Sequence, residues 1–144
     1  MQVVICERDG RWAAALRRHW PETLPPIREV RGLALCSQED LRRPENVFAV
    51  EATLSNAGDL VTWLRSLGFG CRSARILVLS TVALRSWEWL WREAGAVHVV
   101  YRRRDMSEVV RMLQRQEQEF PTPPTSPLAE LMPLLPWPED ASPT

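Results

Sequence analysis

The stretch Arg75-Ile76-Leu77-Val78-Leu79-Ser80, RILVLS, decides the fold. Its apolar centre is too short for a helix and shows no polar alternation, so it reads as a strand covered on both faces. Strands of that kind belong to parallel sheets, and parallel strands need crossovers, most often helices. Downstream, Leu84, Trp87, Leu90 and Trp91 recur at helical spacing up to Gly95. Residues 97–101 form another apolar run, and Ser107 is placed to cap a last helix over 108–119, with Val109, Met112 and Leu113 facing inward.

Upstream, Val47-Phe48-Ala49-Val50-Glu51-Ala52-Thr53 is a second buried strand that runs into a carboxylate. Asn56 or Ser55 then caps a helix with Leu60, Val61, Leu64 and Leu67 on one stripe, closed by Gly68. Residues 27–30 are a weaker strand, followed by a capped helical turn that opens at Ser37 and ends near Pro44. Residues 2–6 are a first strand, and the helix after it, over 11–20, is stopped by Pro21. Five repeats of strand then helix predict an α/β domain: a five-stranded parallel sheet, doubly wound, with helices on both faces. In such sheets ligands sit beyond the carboxyl ends of the strands, where the strand order reverses. That edge collects Glu7, Arg8 and Asp9, then Glu51, then Ser80 and Thr81, then Arg102, Arg103 and Arg104.

With 144 residues there is room for one domain, over 1–119, and a tail over 120–144 that holds eight of the 12 prolines. The tail is expected to be extended and largely disordered, or to dock, because Leu131, Leu135 and Trp137 are too apolar for a mere spacer. Acidic and basic residues balance at 18 each, so no global field draws the chain to nucleic acid or anionic lipid. All the basic residues are arginine, which removes Schiff-base and P-loop lysine chemistry. Cys6, Cys36 and Cys71 are widely spaced and odd in number, so neither a disulfide framework nor a zinc site is expected. His19 and His98 read as surface and strand residues. The first residues lack a secretory pattern and no apolar run approaches a membrane span, which leads to the expectation of a cytoplasmic protein.

The residues at the strand ends, in this order, resemble the receiver domain of two-component response regulators. Glu93-Ala94-Gly95-Ala96 followed by Arg102 is similar to that family's E-A-G-A run before its lysine, and Ile76 to Ser80 and Leu60 also match in place. The resemblance covers 1–119 and implies a flavodoxin-like, three-layer α/β/α fold. It places Glu51 at the phosphoacceptor position, Glu7, Arg8 and Asp9 at the magnesium-binding acids, Ser80 at the hydroxyl and Arg102 at the lysine. If Arg104 took the lysine place instead, Tyr101 would regain the family's switch aromatic position.

The departures from the family weigh on function. A glutamate at position 51 moves the carboxylate by roughly one C–C bond, about 1.5 Å, and phosphoryl transfer depends on positioning. Arg8 beside Glu7 and Asp9 competes with a divalent cation, so magnesium is not expected, although Glu7 and Asp9 are its candidate ligands. Arg102 is able to pair bidentately with Glu51, which would hold the site closed. Trp87, Trp89 and Trp91 cannot share one helix face, so at least one is exposed, and Trp89, Tyr101 and Arg104 mark the family's usual partner surface.

These features predict a non-catalytic adaptor that acts by protein contact in bacterial signalling. It would have no cofactor, no direct nucleic-acid or membrane binding, and a surface compatible with a homodimer. The alternatives are a receiver still responsive to phosphate or metal, and a small α/β nucleotide-binding enzyme. The enzyme is weakened by the single glycine, Gly10, after the first strand.

Overall fold

The computed structural model describes residues 1–39, 41–68 and 74–119. The elements are β1 (Val3–Cys6), α1 (Arg11–Arg17), β2 (Ile27–Val30), α2 (Leu33–Cys36), β3 (Val47–Glu51), α3 (Ala57–Gly68), β4 (Arg75–Leu79), α4 (Glu88–Glu93), β5 (His98–Val100) and α5 (Met106–Glu119). All strand pairs are parallel and the order is β2-β1-β3-β4-β5, the flavodoxin-like topology. The order reverses between β1 and β3, where one crossover leaves toward β2 and the later ones leave toward β5.

Continuous apolar strands arise because successive side chains alternate between two covered faces. Val4, Cys6, Phe48, Val50, Ile76, Val78 and Val99 meet α2, α3 and α4 on one side. Val3, Ile5, Val47, Ala49, Leu77, Leu79 and Val100 meet α1 and α5 on the other. Trp91 is fully buried on the first side, and its indole N–H donates to the Ala57 carbonyl at 3.3 Å, tying α4 to the start of α3. On the second side Trp12 and Leu16 of α1 pack with Val109 and Leu113 of α5.

Three local expectations are corrected. Ser37 does not open a helix but closes α2: its N–H and its hydroxyl both donate to the Leu33 carbonyl at 2.9 Å. A serine hydroxyl serves an N-terminus or bonds back four residues equally well, so sequence alone chose the wrong end. Ser107 lies inside α5, which starts at Met106 after a 3-10 turn over Arg103–Asp105. The tryptophan helix likewise opens as a 3-10 segment, Val82–Trp87, before α4. No helix among the described residues is long and apolar enough to cross a membrane. Cys71 and the tail, with Leu131, Leu135 and Trp137, lie outside the described residues.

Candidate functional site

At the reversal point a cleft of about 440 Å³ opens between the ends of β1 and β3, lined by Glu7, Arg8, Arg31, Glu51, Thr53 and Asn56 among others. Glu7, Arg8 and Glu51 therefore do converge, but both carboxylates already accept backbone N–H groups. Glu7 is buried, and its two carboxylate oxygens accept the N–H groups of Trp12 and Ala13 at 2.8 and 2.7 Å. These are donors of the first turn of α1, which lack intrahelical partners. Gly10, at φ 73°, precedes the helix and has no side chain to cap it, so Glu7 does so from the strand end.

Glu51 is fixed by backbone as well. Its Oε2 accepts the Arg8 N–H at 3.0 Å, while its carbonyl accepts the Asn56 side-chain amide at 3.0 Å. Asn56 in turn accepts the Thr53 N–H at 2.7 Å, which closes the turn into α3. The expected pair between Glu51 and Arg102 is not formed, nor does the Arg8 guanidinium pair with Glu51 among the described residues. Arg102 is exposed and extended, at φ −134° and ψ 133°, because the chain leaves β5 after Val100 and turns into the 3-10 segment. Asp9 is exposed on the far side of the β1 loop, near Glu29 and Arg31.

Ser80 ends β4 with its N–H donated to the Val100 carbonyl at 2.8 Å. Its side chain is 1% exposed and its hydroxyl has no hydrogen-bond partner. Buried hydroxyls are nearly always paired, and no protein group among the described residues pairs with this one. Among the described residues no cluster of three or more His, Cys, Asp or Glu is placed to hold a metal ion.

The structure adds a thiol pair that sequence reasoning missed. Cys6, on the cleft wall, and Cys36 of α2 are both buried and free, and their thiols interact. The Cys36 thiol lowers Cys6 below its ordinary value, while Cys6 together with burial raises Cys36. Nothing in their spacing announces the contact, because it depends on α2 folding over the end of β1.

The third locus lies along α4 and the end of β5. Tyr101 donates its O–H to Glu88, Arg92 binds the same carboxylate at 2.7 Å, and the Arg85 guanidinium stands 5.1 Å from the Tyr101 ring centre. The Tyr101 and Arg92 bonds hold Glu88 below the usual carboxylate range; partial burial and the Glu88 charge push Tyr101 up to about 12. Between these anchored residues Trp89 is 61% exposed, whereas Trp91 is buried and Trp87 half-buried. Helical geometry requires that split.

No protein-family model matches this chain, and neither a curated protein nor a solved structure matches it.

Proposed function

We propose that the chain is a non-catalytic, receiver-like signalling module that acts by protein contact and has no phosphate switch. The observation that carries this reading is the Glu51 carboxylate, which stands at the resemblance's phosphoacceptor place and accepts the Arg8 backbone N–H at 3.0 Å. A nucleophilic carboxylate must present an oxygen in line with the incoming phosphoryl group, beside a bound cation. Here the strand-end acids are held by backbone donors, and the lysine-like Arg102 points its chain away into solvent. Contact with a protein partner would then fall on the α4 and β5 side, where exposed Trp89 is flanked by the Glu88, Tyr101 and Arg92 network. An exposed indole beside a side-chain network is the kind of anchor that dominates protein interfaces. A cytoplasmic setting, a protein partner in bacterial signalling, and homodimer formation through this face belong to the same proposal.

A second reading, a receiver still responsive to phosphate, is favoured by one observation, the unpartnered buried hydroxyl of Ser80. The two readings separate on adding magnesium and beryllium fluoride, or a small phosphodonor, while following tryptophan fluorescence. The adaptor reading expects no saturable change. A saturable response that disappears in Ser80→Ala would establish the second reading and sink the first.

A further inference from the structure

We infer that the groove between α1 and the turn after β5 binds a small ligand that carries a di- or triphosphate chain. Arg11, Ala14, Ala15 and Arg18 follow one another at intervals of three, one and three residues, which puts them on one face of α1. Arg103 and Arg104 form the facing wall, His19 closes one end, and the groove encloses about 610 Å³. Arg11 and Arg18 lie seven residues apart, so about 10 Å of helix separates the two cations along the groove.

Several arginines elsewhere on the surface are already paired with carboxylates. Arg17 pairs with Glu29, Arg28 with Glu39, Arg75 with Glu119 and Arg92 with Glu88. Arg11, Arg18 and Arg103 have no carboxylate within 4.0 Å among the described residues, and Arg104 meets only its neighbour Asp105, at 3.9 Å. In a chain of zero formal net charge, four guanidiniums around one groove, of which only Arg104 meets an acid, are an arrangement that an anionic occupant relieves.

The lining also selects among anions. Guanidinium forks match phosphate oxygens bidentately. The separation of Arg11 from Arg18 is more than one phosphate bridges and suits a short phosphate chain lying along α1. The volume is that of a small-molecule site, where about 300–1,000 Å³ is usual. A protein or peptide would need an apolar anchor, and a single-stranded nucleic acid an aromatic ring to stack on. Ala14 and Ala15, the groove's apolar residues, supply no anchor, and its one ring, His19 at the end, gives no platform for successive bases.

The test is calorimetric titration of the full chain with inorganic tripolyphosphate at low salt, with pyrophosphate, a nucleoside triphosphate, an acidic peptide and a short oligonucleotide as parallel probes. The expected result is saturable binding of the phosphate chains, weakened about tenfold by either Arg18→Gln or Arg103→Gln, since each removes one charge-assisted contact. Arg65→Gln, on α3 across the sheet, leaves it unchanged. Thermal melts check that the variants, altered only at exposed positions, remain folded. Absence of saturable binding overturns the inference, as does binding insensitive to the double Arg18→Gln/Arg103→Gln variant. Tighter binding of the peptide or the oligonucleotide, lost in the same variants, overturns the small-ligand assignment.

Discussion

The strand-end acids and the α1 groove are opposite in how their charges are met. At the carboxyl edge of the sheet, Glu7 and Glu51 aim their oxygens at backbone N–H groups of Trp12, Ala13 and Arg8. Around the groove, Arg11, Arg18 and Arg103 meet no carboxylate among the described residues. The acids occupy the place where chemistry is sought in such a fold and hold the loops together instead. Arg11 and Arg18 line a groove apart from the cleft at the strand reversal, and with Arg103 they keep their binding capacity free. Position at a functional edge is therefore a weaker guide than whether a charged group has already found its partner.

The largest effect should come from the acid side. Replacing Glu7 by Ala strips the first turn of α1 of both acceptors in a buried place. Hydrogen bonds to a charged group contribute about 1.5–3 kcal/mol each, and the loss here should be roughly 3 kcal/mol. For a domain of this size that is a fall in Tm on the order of 10 °C. Glu7→Gln keeps one acceptor oxygen and should lose about half as much. Urea unfolding of the two variants decides the matter; a cost below ~1 kcal/mol for Glu7→Ala would mean that the acid is not structural, and the contrast with the groove would collapse.

The Glu88 and Tyr101 pair stands between the two regions, a charge met by a side chain. Tyr101→Phe should cost about 1 kcal/mol near neutral pH. The pH dependence follows from the signs. Glu88 is lowered from 4.5 by its bonds, so its contribution is complete above that value and disappears as pH falls through the lower folded value. Tyr101 is raised from 10.0 to about 12, so its contribution is complete below 10 and disappears as pH rises through about 12. The stability difference between wild type and Tyr101→Phe should form a plateau between these limits and shrink at both ends. Tyr101 is the single tyrosine of the chain, so tyrosinate absorbance in an alkaline titration reads its shift without overlap.

Glu51→Ala should be milder still, about 0.5–1 kcal/mol, because the Arg8 N–H it leaves is at an open cleft and water can replace the lost acceptor. A loss as large as that of Glu7→Ala would show that the two acids act as one network, which additivity in the double variant would exclude.

The sheet was legible because runs such as Val47 to Val50 and Ile76 to Leu79 are apolar without alternation, and only double cover explains that pattern. The residues of the edge were legible for the same reason, since each stands one step past such a run. What sequence could not show was where each side chain turns. Glu7 reaches forward past Gly10, which takes a positive φ, to the first turn of α1, and Arg102 parts from Arg103 and Arg104 because a 3-10 turn begins between them. The groove itself joins residues from the two ends of the domain, brought together because α1 and α5 pack on the same face of the sheet. No local pattern carries that information.

The smallest expected effect is the most informative about the groove, because its sign is opposite to the others. If Arg11, Arg18 and Arg103 share the groove with no carboxylate partner, removing one relieves repulsion instead of breaking a bond. Arg18→Gln and Arg103→Gln should each raise stability by a few tenths of a kcal/mol at low salt, in the absence of any anion. Salt screens the repulsion over about 10 Å at 0.1 M and about 3 Å at 1 M, so the gain should vanish in concentrated sodium chloride. Arg17→Gln, one residue away but paired with Glu29, should show no such gain. Matched urea titrations at low and high salt make the comparison. A gain for Arg17→Gln equal to that for Arg18→Gln would mean that a general surplus of arginine on α1, and not the groove, is what the helix carries at a cost.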